Sequence, residues 1–181
     1  MVKFSRKVPS VVLLAALLSA ISSSSMSDTV TGTIDARIAL VDGCLIENTA
    51  APTGVDFGTL DFGSESTLFT QADAEVIGVN GNGISILCSS GNDATLQVVN
   101  GANDANAGIH THAMVFSAHY VPYDLYDAPG YAPNDRLNNN DLISVTGDGT
   151  LKTIRLYGRA VGASGLIAGL YQDTLTMQVD F

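Results

Sequence analysis

The 181-residue chain carries 18 acidic against 8 basic residues, and three of the basic ones (Lys3, Arg6 and Lys7) stand in its first 25 positions. Everything beyond residue 25 therefore holds 5 basic and 18 acidic groups, a formal charge of −13. That charge repels nucleic acid and anionic lipid, and with no basic run to offset it a nucleic-acid-binding role is excluded.

Residues 1–25 read as a cleaved signal peptide. The basic start leads into VVLLAALLSAI at 11–21 and then into small serines, the order a signal peptidase substrate requires. That apolar run is too short to cross a bilayer, which takes about 20 residues. No later stretch approaches that length, so an exported chain without membrane insertion is expected. The remainder suffices for one domain with a real core.

TVTGTIDARIAL (29–40) comes next. Val30, Gly32, Ile34, Ala36, Ile38 and Leu40 share one face, and polar residues fill most of the other. This is the period-2 alternation of a half-buried strand. Asp42-Gly43 would suit a type I′ turn back into CLIEN (44–48), but that stretch is too short to satisfy the backbone of 29–40. Two partners stay open: another strand of the same sandwich, or the open sheet edge of a second copy. An alternating apolar strand is well suited to such an edge. Burying Val30, Ile34, Ile38 and Leu40 would stabilise docking by roughly 6–12 kcal/mol gross. Because each copy would both donate and accept, the contact would propagate into a filament.

Further along, short β-rich runs separated by Gly, Asn and Asp turns are predicted at 57–62, 75–79, 84–88, 94–99, 113–121, 142–146 and 151–159. The last run, 170–181, is patterned to its end by Leu175, Met177, Val179 and Phe181. No window shows helical periodicity, and the pattern predicts an all-β sandwich. Cys44 and Cys88 are the only cysteines. In an exported chain an even count points to a disulfide, worth about 4 kcal/mol at this spacing; free thiols or an intermolecular bridge are the rivals.

Candidate chemistry is sparse. His110 and His112, with His119 nearby, lack placed carboxylates and read as an exposed loop pair rather than a metal site. GASG (162–165) is not a nucleophile elbow, and 103–108 and 147–149 fall short of a calcium loop. No catalytic residue, metal or cofactor is nominated, and the expectation is a protein that is not an enzyme. Four of the six tyrosines (Tyr120, Tyr123, Tyr126, Tyr131) cluster among prolines. A strand end and loop packed within the domain or against a neighbouring subunit is the preferred reading of that cluster, and a surface that stacks on sugars the alternative.

GCLIENTAAPTGVDFGTLDFGS (43–64), YDLYDAPG (123–130) and YGRAVGASGLIAGLYQDTLTMQVDF (157–181) resemble the spore coat protein U domain family. With VTGTIDARIAL ahead of them, they are similar to the shaft subunit of archaic (Csu-type) chaperone–usher pili. Residues 131–141 are longer and more polar than that pattern. The resemblance implies an incomplete immunoglobulin-like β-sandwich at 43–181, completed by the donor strand (26–42) of a neighbouring subunit. It implies a homopolymer built by donor-strand exchange, with a periplasmic chaperone and an outer-membrane usher as partners, and a role in attachment and biofilm formation. Val30, Gly32, Ile34, Ala36, Ile38 and Leu40 become the donor face, and Cys44–Cys88 the subunit disulfide. Leu175, Met177, Val179 and Phe181 become the acceptor wall, where a chaperone would also bind. The alternative is a monomeric secreted carbohydrate-binding β-sandwich.

Overall fold

The computed structural model describes residues 28–181; the expected signal peptide lies outside the described residues. Residues 40–181 form one compact unit, and the chain up to Ala39 is a second. The described part of that second unit, 28–39, carries neither strand nor helix. No described helix is long and apolar enough to cross a membrane.

Thirteen strands follow: β1 (Cys44–Ile46), β2 (Thr59–Leu60), β3 (Gln71–Gly78), β4 (Gly81–Asn82), β5 (Ile84–Cys88), β6 (Ala94–Gly101), β7 (His112–Phe116), β8 (His119–Tyr126), β9 (Arg136–Leu137), β10 (Leu142–Val145), β11 (Lys152–Ile154), β12 (Tyr157–Val161) and β13 (Leu175–Asp180). Two single 3₁₀ turns lie at Asp104–Asn106 and Pro133–Asp135. The strands form a seven-stranded sheet along β2-β3-β12-β8-β7, with β4 and β9 attached, and two three-stranded sheets, β1-β5-β11 and β10-β6-β13. Their inner side chains meet in one core through Ile86, Leu96, Val98, Val121, Leu125 and Ala160. The fold found is the all-β sandwich expected from the pattern, in the immunoglobulin-like form that the resemblance implied.

Cys44 and Cys88 are disulfide-bonded and directly opposite each other in the β1–β5 ladder. The expected pairing is therefore present. β1 does not fold back across Asp42-Gly43; its ladder partner is β5.

Three predicted runs are divided by the structure. The run 113–121 is a hairpin, turning at Ser117 (φ 45°) and Ala118 (φ 63°). Both central residues are left-handed, the backbone of a type I′ turn, but neither is the Gly, Asn or Asp that normally signals one. The run 151–159 serves two sheets: β11 pairs with β5, while β12 lies between β3 and β8. Fully buried Leu156 makes the crossing, and its carbonyl accepts from Val76 N–H at 2.8 Å.

The third run, 57–62, keeps only β2, because DFGTLDFG (56–63) contains two tandem Asx turns. Gly58 N–H donates to Asp56 Oδ1 at 2.9 Å and Gly63 N–H to Asp61 Oδ1 at 2.8 Å, with φ of 113° and 75° at the glycines. The turns take backbone groups out of the ladder and shift the apolar phase by one residue, from Val55 and Phe57 to Leu60 and Phe62.

Candidate functional site: an open sheet edge beside the C-terminal strand

Strand β13 is the edge of its sheet. It pairs with β6 in register Met177↔Val98 and Val179↔Leu96, with a bulge between Thr176 and Met177. Its other side carries no ladder among the described residues. Leu175, Met177 and Val179 pack toward the core but stay half-exposed, and Phe181 is 60% exposed.

Facing β13 is segment 55–62, and between them runs a cleft of about 650 Å³. Val55, Phe57, Leu60 and Phe62 line one wall, and Leu175 and Met177 the other. Val76, Met114, Tyr123 and the segment 170–174 also line it. The cleft runs on into a second cavity of about 380 Å³, which shares Leu60, Phe62, Met114 and Tyr171. Phe62 meets Tyr123 edge to face at 5.8 Å. The lining is thus mixed, with apolar side chains on both walls and the carboxylates of Asp56 and Asp61 occupied in their own turns. Shape and polarity suit an extended segment with apolar side chains on one face.

Three titratable side chains near the cleft are hydrogen-bonded. Tyr123 donates to Asp173 Oδ2 at 2.8 Å, and burial, reinforced by the Asp173 charge, pushes its hydroxyl pKa far up, so it remains a donor. His112 is 1% exposed, with Nδ1 2.8 Å from Asp104 Oδ1; His110 Nδ1 lies 2.6 Å from Asp124 Oδ2. The histidines are therefore not the exposed loop pair expected from sequence. Each is tied to a carboxylate outside its own strand spacing, 8 residues away for His112 and 14 for His110. Among the described residues no three or more His, Cys, Asp or Glu side chains are placed to hold a metal ion.

Of the residues singled out from sequence, Leu175 and Met177 line the cleft, Val179 packs behind it, and Phe181 ends the strand exposed. Earlier in the chain Val30, Ile34, Ile38 and Leu40 are 94%, 96%, 83% and 84% exposed. Gly32 and Ala36 are also exposed. These large apolar side chains recur at even spacing and lie almost wholly in water. Cys44 and Cys88 pin β1 to β5. Sequence reasoning missed the wall at 55–62. The signal was the duplicated Asp-Phe-Gly, whose phase slip hides the alternation.

The tyrosine cluster is largely spent on internal packing. Tyr123 and Tyr126 are buried, Tyr131 meets Tyr126 and Tyr157 edge-on, and Arg159 covers a face of Tyr131 at 4.0 Å.

These features define a class: an immunoglobulin-like β-sandwich in which one side of β13 carries no ladder among the described residues. Within that class the chain belongs to the Spore Coat Protein U domain family, whose model matches residues 30–178. The match takes in the exposed segment as well as the sandwich. No curated protein matches significantly. Among solved structures, the chain is similar to one in the chaperone–tip adhesion subunit pre-assembly complex from archaic chaperone–usher Csu pili of Acinetobacter baumannii. The identity is 22% and the TM-score 0.45, over 78% of this chain and 40% of that one.

Proposed function

We propose that this chain is an exported structural subunit of a chaperone–usher pilus. Residues 26–42 act as a donor strand that enters the β13 cleft of the next copy, and 43–181 are the acceptor sandwich. The observation that carries the reading is the half-exposure of Leu175, Met177 and Val179 beside an apolar cleft of about 650 Å³. The same chain supplies a segment whose large apolar residues alternate and lie in water. A docked strand would satisfy the free edge of β13 and cover both apolar sets. Donor and acceptor are different segments of one chain, so the contact is head-to-tail and open-ended.

Before assembly the exposed edge is an aggregation hazard. A periplasmic chaperone holding the cleft, and an outer-membrane usher exchanging it for the next donor, meet that hazard. The resulting homopolymer would stand on the cell surface and serve attachment and biofilm formation. Chemistry is not part of the reading.

Thermal unfolding of residues 43–181, with and without 28–42 appended through a flexible C-terminal linker, tests it. The bare sandwich is expected to aggregate or melt early, and the grafted form to melt cooperatively as a monomer. Identical melting would sink the donor-strand reading.

A further inference from the structure

We propose that Asp173, through Tyr123, is a positioning residue of the cleft, anchoring the approach to β13 so that the edge is ready-made before any strand docks. This deepens the donor-strand reading and rests on it.

Residues 170–174 run from the β7 edge to the β6 edge and line the cleft on the way. Backbone bonds tie them at two places. Gln172 and Val115 exchange hydrogen bonds of 2.9 and 3.2 Å, and Ala102 N–H donates to Thr174 O at 3.0 Å. Between these ties sits Asp173. Its Oδ2 accepts from the Tyr123 hydroxyl and its Oδ1 from Asn103 Nδ2, both at 2.8 Å. Tyr123 is 3% exposed, and its ring meets Phe62 of the opposite wall at 5.8 Å and His112 at 5.2 Å. One carboxylate thereby links the β13 approach to the lining of the cleft and, through an aromatic ring, to its far wall.

A second carboxylate lies close by. Asp104 Oδ2 accepts from Gly101 N–H at 2.7 Å and Asn139 Nδ2 at 2.8 Å. Gly101 ends β6 and is the ladder partner of Leu175, the first residue of β13. A Cβ on Gly101 would collide with Asp104 and lie 2.8 Å from Asp173 Oδ2 and 3.1 Å from His112 Nδ1. Only glycine allows both acids to close on this strand end.

The consequence for docking is entropic. β13 is held by β6 alone, and a strand entering its free side must find that side ordered or lose affinity in ordering it. Removing the Tyr123 hydroxyl leaves an acceptor of Asp173 unpaired, and the approach loosens. On the scale of a hydrogen bond to a charged group, affinity for an incoming strand falls about tenfold or more.

The test uses the full chain and a labelled synthetic peptide of residues 28–42 as probe, comparing wild type with Tyr123→Phe and Asp173→Asn. Val145→Ala, buried in β10 away from the cleft, controls for general loss of stability. The expected result is weaker capture by both cleft variants, with faster amide exchange over 172–177. Val145→Ala should retain capture despite an equal or larger fall in Tm. Capture by Tyr123→Phe equal to wild type, or loss by Val145→Ala in step with its Tm, would overturn the anchor. A wild-type chain that captures no peptide would instead overturn the docking reading, and the anchor's role with it.

Discussion

Strands β6 and β13 lie side by side, share an alternating pattern and pair over most of their length. Yet Ala94, Leu96 and Val98 of β6 are 2%, 0% and 3% exposed, while the corresponding residues of β13 are only half-buried. The difference is one of neighbours. β6 has a strand on each side, β10 and β13, whereas β13 has only β6. Composition does not separate them, since Leu175, Met177 and Val179 are no less apolar than their partners. What β13 lacks is a cover, and the lesson is that burial of a sheet residue is set by the strands beside it as much as by its own side chain.

The sharpest way to break this comparison is to truncate one inward-facing residue of each strand. Leu96→Ala should cost about 2–5 kcal/mol in urea unfolding. Met177→Ala should cost about 1 kcal/mol or less in a chain whose cleft is empty, since much of that side chain is already in water. Docking the 28–42 peptide should raise the Met177 cost and leave the Leu96 cost unchanged. Equal costs with an empty cleft would mean that β13 is as well covered as β6.

Next in size, Gly58→Ala alters the wall opposite β13. Its φ of 113° suits glycine, and an added Cβ would collide with the Ile77 carbonyl. The variant is expected to lose about 1–3 kcal/mol of stability and to weaken peptide capture. Wild-type capture would show that the wall need not hold its Asx turns.

A smaller effect is expected on acidification. Burial alone would raise the Asp104 pKa, but Gly101 N–H, His112 and Asn139 outweigh it and hold it below the ordinary 3.8. A carboxylate depressed in the folded state contributes stability that is complete above its unfolded value and lost as pH falls through its folded value. The Tm of the wild type should therefore drop more steeply than that of Asp104→Asn below about pH 4. Parallel curves would remove Asp104 from the acid response.

The smallest effect concerns the other unit. Ile34 is 96% exposed, so Ile34→Asn should shift Tm by less than about 0.5 kcal/mol equivalent. The same change in the 28–42 peptide should abolish capture. A clear fall in Tm of the unassembled chain would place Ile34 inside its own fold.

Much of this was legible in the residues. The alternation of Leu175, Met177 and Val179 marks a strand with one apolar face, and the even pair Cys44 and Cys88 marks a disulfide. The resemblance carried by 43–64 and 157–181 led to the family. Less legible were elements governed by distant partners. Ser117-Ala118 turns a hairpin without turn chemistry because the flanking ladder imposes its geometry. Leu156 splits a continuous β run because its side chain is needed in the core between two sheets. His112 finds Asp104, and Tyr123 finds Asp173, only after the chain has folded.

The sequence by itself determined which residues alternate, which turn, which two cysteines can bond and how the charge is biased. Those are properties of local chemistry, and a period of two needs no partner to be read. Only the tertiary structure decided that the wall at 55–62 faces β13, that two carboxylates close on Gly101, and that one side of β13 carries no ladder among the described residues. Alternation says that a strand has an apolar face but not what lies against it. That depends on contacts far apart in the chain, whose cost and reward appear only when the whole sandwich has closed.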